Sequence, residues 1–191
     1  MWDRITKPAD PVHVAAVVDL ARRAGPRCGA VIVVAVDGHS GSGKTTLAAA
    51  VADALVAQVV HLDLVYPGWD GLARAVDILA TRILRPLSQG RSAAYRRWDW
   101  EHGEWAEEHP VLPAPFLVVD GCGSSVLPAG AYAAVRVFLD ASPALRRARG
   151  LARDGDTYAP HWEHWAAQED ELFERDGTRR RADLLIDTTT V

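Results

Sequence analysis

AVIVVAVDGHSGSGKTTLAAA, Ala30 to Ala50, decides the architecture of this chain. The apolar, β-branched residues from Ala30 to Val36 run without alternation, the pattern of a parallel strand buried on both faces. The alanine- and leucine-rich run after Thr46 predicts a helix reaching about Ala57. Between them, Gly38 to Thr45 matches GxxxxGK[ST] in full. A phosphate-cradling loop needs this order of strand, glycine loop and helix. Glycines let successive backbone N–H groups turn inward to phosphate oxygens, and the helix N-terminus adds free N–H groups and partial positive charge. The loop Gly38, His39, Ser40, Gly41, Ser42, Gly43, Lys44, Thr45 and Thr46 is therefore expected to hold the phosphates of a nucleotide. Lys44 would neutralise β and γ oxygens, and the Thr45 hydroxyl would ligate Mg²⁺. His39 occupies a variable position of the motif.

Outward from this stretch, strands and helices alternate. Pro11 to Gly25 reads as an amphipathic helix with Pro near its start and Gly at its end, part of an N-terminal extension over residues 1–26. Val59 to Leu62 reads as a strand closed by Asp63, YPGWDG as a turn, and Leu72 to Ile83 as a helix. FLVVDG and VRVFLD are strands ending at Asp120 and Asp140, and ADLLIDT is a fifth. Residues 90–115 form a polar, aromatic, proline-punctuated insertion with room for short hairpin strands. The pattern predicts one α/β domain over residues 1–191, a three-layer P-loop NTPase fold with a five-stranded parallel sheet and helices on both faces.

The totals exclude several classes. The chain has 191 residues, 49% hydrophobic and 24% charged, with a formal net charge of -4, so neither disorder nor a duplex-binding surface is expected. RRR at Arg179 to Arg181 reads as a solvated face or an anion site. Cys28 and Cys122 make neither a disulfide framework nor a metal spacing, which suits a reducing, cytoplasmic setting. No leader or membrane-spanning run is visible, and neither nucleic acid nor membrane is an expected partner; homo-oligomerisation stays open. A base-reading NKxD and a DxxG switch are absent, which argues against a GTPase. A small-molecule kinase or a nucleotide-binding regulator without turnover remains.

VDGHSGSGKTTLA, LDLVYPGW, LSQGRSAAYRRWDWEHG before FLVVDG, and VFLDASPALRRARGLARD followed by RRRADLLIDT together resemble the uridine kinase and phosphoribulokinase branch of P-loop kinases. The resemblance covers roughly Val31 to Thr188 and implies an arginine-bearing lid, here residues 143–160. It implies ATP- and Mg²⁺-dependent transfer to a hydroxyl of a nucleoside or nucleoside-like metabolite, with a nucleoside monophosphate, a sugar phosphate or a pantothenate-like alcohol as the alternative acceptor. Asp63 would orient or deprotonate that hydroxyl, with Tyr66 lining the acceptor site; a helix or turn cap is the structural alternative. Asp120, where the family has glutamate, would hold Mg²⁺ with Thr45.

Arg146, Arg149 and Arg153 share one face of a helix, Arg147 another. The resemblance makes Arg149 and Arg153 the arginines that close over the transferring phosphoryl group, and bidentate guanidinium donors suit its oxygens. Tyr95, Arg97, Trp98 and Asp99 would line the acceptor pocket, with Arg96, Trp100 and His102 nearby; packing is the alternative for each aromatic. Arg96 and Arg97 favour an anionic acceptor. His161, Trp162, His164 and Trp165 read as helix packing under the lid, and Asp140 as the cap region of the lid helix; the sequence does not say which residues, the final DTTTV included, contact the adenine.

Overall fold

A computed structural model describes residues 8–190. Helix α1 (Pro11–Arg23) begins where Asp10 accepts the Val12 N–H at 2.8 Å and Pro11 presets the first turn. Strand β1 (Ile32–Gly38) leads through the glycine loop into α2 (Lys44–Leu55). Next come β2 (Gln58–His61), a single 3₁₀ turn at Leu62–Leu64 that holds Asp63, and α3 (Leu72–Ile78). The helix predicted to end near Ile83 continues through a π turn at Leu79–Leu84 into α4 (Arg85–Ser88). That change of register falls immediately before Pro86, which has no N–H to donate.

The insertion is an antiparallel hairpin, β3 (Ala93–Asp99) and β4 (Glu104–Val111), forming its own two-stranded sheet. After it come β5 (Phe116–Asp120), β6 (Ala133–Asp140), α5 (Pro143–Asp154), α6 (Trp162–Asp176), α7 (Thr178–Arg181) and β7 (Leu184–Asp187).

The main sheet has the expected five strands, all parallel, in the order β2-β5-β1-β6-β7. Two apolar clusters cover its faces. Val17, Val34, Val36, Leu47, Val51 and Val137 knit α1 and α2 to one face. Leu62, Leu72, Leu79, Ile83, Trp165 and Phe173 fill the other. The register pairs Asp120 with both Val36 and His61, Asp37 with Phe138, and Asp140 with Asp187. The charged ends of β1, β2, β5, β6 and β7 therefore collect at the carboxyl edge of the sheet, where open α/β sheets bind ligands. Among the described residues no helix is long and apolar enough to cross a membrane.

Candidate active site

The phosphate loop is fixed by backbone contact. A Cβ on Gly38 (φ 132°) would lie 2.0 Å from the Leu139 carbonyl oxygen, and one on Gly41 (φ 77°) 2.2 Å from that of Arg146. Both conformations are reserved for glycine. They let the loop pass directly beneath β6 and α5. Lys44 is buried and donates to the His39 carbonyl at 2.9 Å, across the loop's own ring. Burial opposes its charge, but Cys122, Glu169, Asp120 and Asp63 outweigh this and raise it above the ordinary lysine value.

Two carboxylates that the sequence reading passed over hold this loop. Asp37, fully buried, accepts the N–H groups of Gly38, Gly123 and Ser125 and the Ser125 hydroxyl, each at 2.8 Å. Burial pushes its carboxyl up, against these bonds, which pull it down. Its signal was available: a charge inside an apolar strand must find partners. Glu169 on α6, also fully buried, grips the loop from the other side. Its Oε1 accepts the Ser40 N–H at 2.9 Å, the Ser40 hydroxyl at 2.6 Å, the Cys122 thiol at 2.9 Å and the Trp165 indole N–H at 2.9 Å. Its Oε2 faces Arg146 Nη1 at 3.9 Å. No local motif announces this contact, because the two residues are 129 positions apart. Burial, then Glu169, hold the Cys122 thiol well above its usual range, so it stays protonated and donates.

Beside the loop lie the predicted acids. Asp120 Oδ2 meets His61 Nδ1 at 3.0 Å, while buried Oδ1 finds no hydrogen-bond partner among the described residues. An orphaned carboxylate oxygen at the strand end next to the phosphate loop is where a hard cation, or its water, supplies the missing partner. The donor set of Asp120 and Thr45 thus fits Mg²⁺. Burial disfavours charge on His61, but the hydrogen bond and charge of Asp120 raise it overall. Asp63 sits in the 3₁₀ turn after β2, and burial pushes its carboxyl up to about 6, against the pull of Arg153.

The arginines of α5 divide their tasks. Arg146 is buried, its Nε on the Ala141 carbonyl at 3.2 Å. Arg149 donates to the hydroxyl and carbonyl of Thr188, both at 3.0 Å, and Thr188 in turn donates to the Ser42 carbonyl of the loop at 2.9 Å. Arg153 lies next to Asp63 and bonds Asp154, and burial, which opposes its charge, is outweighed by Asp154 and Asp63. Arg147 points elsewhere, 3.8 Å from Glu163. Asp140 does not cap α5, whose N-cap is Ser142; its carboxylate holds the Ala141 N–H at 2.9 Å and pairs with Arg179. The arginine run is structural at Arg181 as well, which ties Asp176 to the Ser125 carbonyl.

Asp63 and Arg153 open into a pocket walled by Tyr66, Trp69, Trp100, Tyr158 and Trp165. Tyr66 presents its ring, since its hydroxyl donates to the Cys122 carbonyl at 2.9 Å. Of the insertion, Trp100 reaches this wall and donates from its indole to the Asp63 carbonyl at 2.9 Å. Tyr95, Arg97, Trp98 and Asp99 lie outside it. Tyr95 is buried and stacks on His109, Arg97 pairs with Glu107, Trp98 packs edge-on against Trp105, and Asp99 accepts the Glu101 and His102 N–H groups of the hairpin turn. Cross-strand pairing and the turn use these side chains, which spacing along the sequence does not reveal. Trp69 was hidden in YPGWDG, where turn chemistry explained the stretch sufficiently. Trp165 was read as packing and proves to line the cavity as well.

No protein-family model matches the sequence, and no curated protein matches it. Solved structures do. One described as a possible uridine kinase from Bacillus stearothermophilus is 21% identical, with a TM-score of 0.65 over 92% of this chain and 98% of that one. A proposed fructose transport system kinase from Silicibacter sp. TM1040 is 20% identical, with a TM-score of 0.60 over 90% and 98%. The chain shares the fold of these two structures along nearly its whole length.

Proposed function

We propose that the chain is a kinase that transfers the γ-phosphate of ATP to a hydroxyl of a nucleoside or nucleoside-like metabolite. The observation that carries this reading is the position of Asp63, which shares one cavity with Ser40 of the phosphate loop, Arg153 of the lid helix and a wall of aromatic rings. A donor grip, a carboxylate and an aromatic-walled pocket meet there. The kinase fold of the structural neighbours supports it.

In this reading Gly38 to Thr46 cradle the triphosphate, with Lys44 on the β and γ oxygens. Thr45 and Asp120 would hold Mg²⁺, which when bound neutralises phosphate charge. The acceptor hydroxyl oxygen forms a bond to the γ-phosphorus as the bond from that phosphorus to the bridging oxygen breaks, and ADP leaves. The hydroxyl proton passes to Asp63, whose carboxyl near 6 is ionised at neutral pH yet basic enough to take it. Arg153 from beside Asp63, and Arg149 from its post on Thr188 over Ser42, offset charge on the transferring group. Phosphoryl transfer relies on such positioning and electrostatics more than on a strong base. The lid excludes water from the cavity, which suppresses idle ATP hydrolysis.

The test is a transfer assay with ATP, Mg²⁺ and a nucleoside panel, read by mass spectrometry. Asp63→Asn should lose transfer by about a hundredfold or more while ATP binding stays. Full transfer by that variant would overturn the base role.

A further inference from the structure

We propose that His61 is a positioning residue for the divalent cation: it holds one oxygen of the Asp120 carboxylate, so that only the other is offered to a metal at the phosphate loop. This rests on the metal site of the kinase reading above and deepens it. His61 closes β2 and Asp120 closes β5, and the two are partners in the parallel register. Paired residues of neighbouring strands project to the same face of the sheet, so the two side chains meet. His61 Nδ1 lies 3.0 Å from Asp120 Oδ2. Carboxylate oxygens accept, so the hydrogen belongs to Nδ1, and neutral and charged imidazole alike can supply it.

What remains to be fixed at Asp120 is the turn of its carboxylate. The main chain is already pinned: the Gly121 N–H donates to the Val36 carbonyl at 3.2 Å, and a Cβ on Gly121 (φ 137°) would lie 2.6 Å from that of Leu62. Aspartate χ2 is a broad, roughly two-fold torsion, so a fixed main chain leaves the two oxygens able to exchange. The His61 bond removes that freedom from a side chain only 3% exposed.

Lys44 does not take this part. It feels the charge of Asp120, but its ammonium donates to the His39 carbonyl at 2.9 Å. Nor does burial compel the bond from the histidine side, since the His61 side chain is 24% exposed and within reach of water. With Oδ2 held, buried Oδ1 is the oxygen that remains for a hard cation or its water. A ligand oriented in advance by such a neighbour binds its metal more tightly, and losing the neighbour weakens binding by about ten- to a hundredfold.

The test titrates the full chain, in excess over ADP, with Mn²⁺ and reads free Mn²⁺ by electron paramagnetic resonance. His61→Ala should weaken Mn²⁺ binding about tenfold or more, while ADP binding without metal stays within about twofold. His61→Asn puts an amide nitrogen where Nδ1 stood and should recover binding to within about threefold of wild type. His61→Gln, whose amide reaches the place of Nε2, should stay as weak as alanine. These two amides fill the site and keep the comparison if alanine disturbs folding. In an Asp120→Ala background His61→Ala should change Mn²⁺ binding less than about twofold, because the two residues act through one contact. Unchanged Mn²⁺ binding by His61→Ala, recovery by glutamine as full as by asparagine, or the same loss with the Asp120 carboxylate removed would each overturn the proposal. A transfer assay with ATP, Mg²⁺ and a nucleoside panel separates the two claims. Mn²⁺ binding as expected with no phosphate transferred sinks the kinase reading and leaves His61 its role. Transfer by the wild type with Mn²⁺ binding indifferent to His61 sinks the role and leaves the reading.

Discussion

Glu169 accepts the Ser40 N–H at 2.9 Å and the Ser40 hydroxyl at 2.6 Å, so the phosphate loop is held by the helix that also supplies Trp165 to the pocket beside Asp63. The loop and the aromatic wall share one buried carboxylate, since the same Oε1 also takes the Trp165 indole N–H.

Removing that carboxylate should be costly. Glu169→Ala leaves buried donors on Ser40, Cys122 and Trp165 without their acceptor and Arg146 without its neighbour, at roughly 3–5 kcal/mol. Glu169→Gln keeps an acceptor oxygen and should lose about 1–2 kcal/mol. Urea unfolding at constant slope measures both, and equal stability of wild type and Glu169→Ala would refute the role.

Lys44→Ala should keep the fold at some cost in stability, since among the described residues its ammonium donates to the His39 carbonyl while offsetting the charges of Glu169, Asp120 and Asp63. Transfer should fall by about a thousandfold or more, because charge developing on the phosphoryl group loses its fixed cation. Steady-state kinetics beside a thermal melt distinguishes this from unfolding.

The pH dependence follows from Asp63. Its folded carboxyl is raised to about 6 from an ordinary value of 3.8, so it carries a proton at acid pH and loses it as pH rises through about 6. Transfer should therefore rise through that pH as the base becomes ionised. Stability runs the other way: a raised carboxyl favours the folded state below its unfolded value, and the benefit is lost between about 4 and about 6. Asp63→Asn removes a costly charge and should stabilise the protein near pH 7, by at most about 3 kcal/mol, while abolishing the acid limb of the rate profile. A rate profile that keeps its acid limb in this variant assigns the limb to another group.

Asp120→Asn should raise the Mg²⁺ concentration needed for half-maximal transfer by about tenfold or more, because Oδ1 is the buried oxygen left to meet a cation. Titrating Mg²⁺ at saturating ATP reads this directly; an unchanged requirement would remove Asp120 from the metal site.

Gly41→Ala tests how tightly the lid is mounted. Its methyl carbon would sit 2.2 Å from the Arg146 carbonyl oxygen in a conformation that disfavours side chains, so the loop and α5 must separate. A drop in ATP affinity together with a lowered melting temperature is the expected pair.

Periodicity, glycines and the motif made the sheet, its helices and the phosphate loop legible, because each depends on residues close in sequence. The end of the α3 helix was not, since a π turn carried it past Ile83 to Ser88. The acids Asp63 and Asp120 were legible as strand endings, and the pairing of β5 with both β1 and β2 brings Asp120 next to the loop. Tyr95, Arg97, Trp98 and Asp99 were legible as a cluster in an insertion with room for hairpin strands, but the register was not, and the cross-strand partners Glu107, Trp105 and His109 decide where those side chains go.

The sequence by itself determined the fold and the place of the triphosphate grip, because glycine conformation, apolar runs and helix starts act over a few residues. Only the tertiary structure decided that Glu169 clamps Ser40, that Arg149 rests on Thr188, and that Trp69, Trp100 and Trp165 face one cavity with Asp63. Those contacts join residues tens of positions apart or more, and long-range packing carries no local signature by which a sequence announces it.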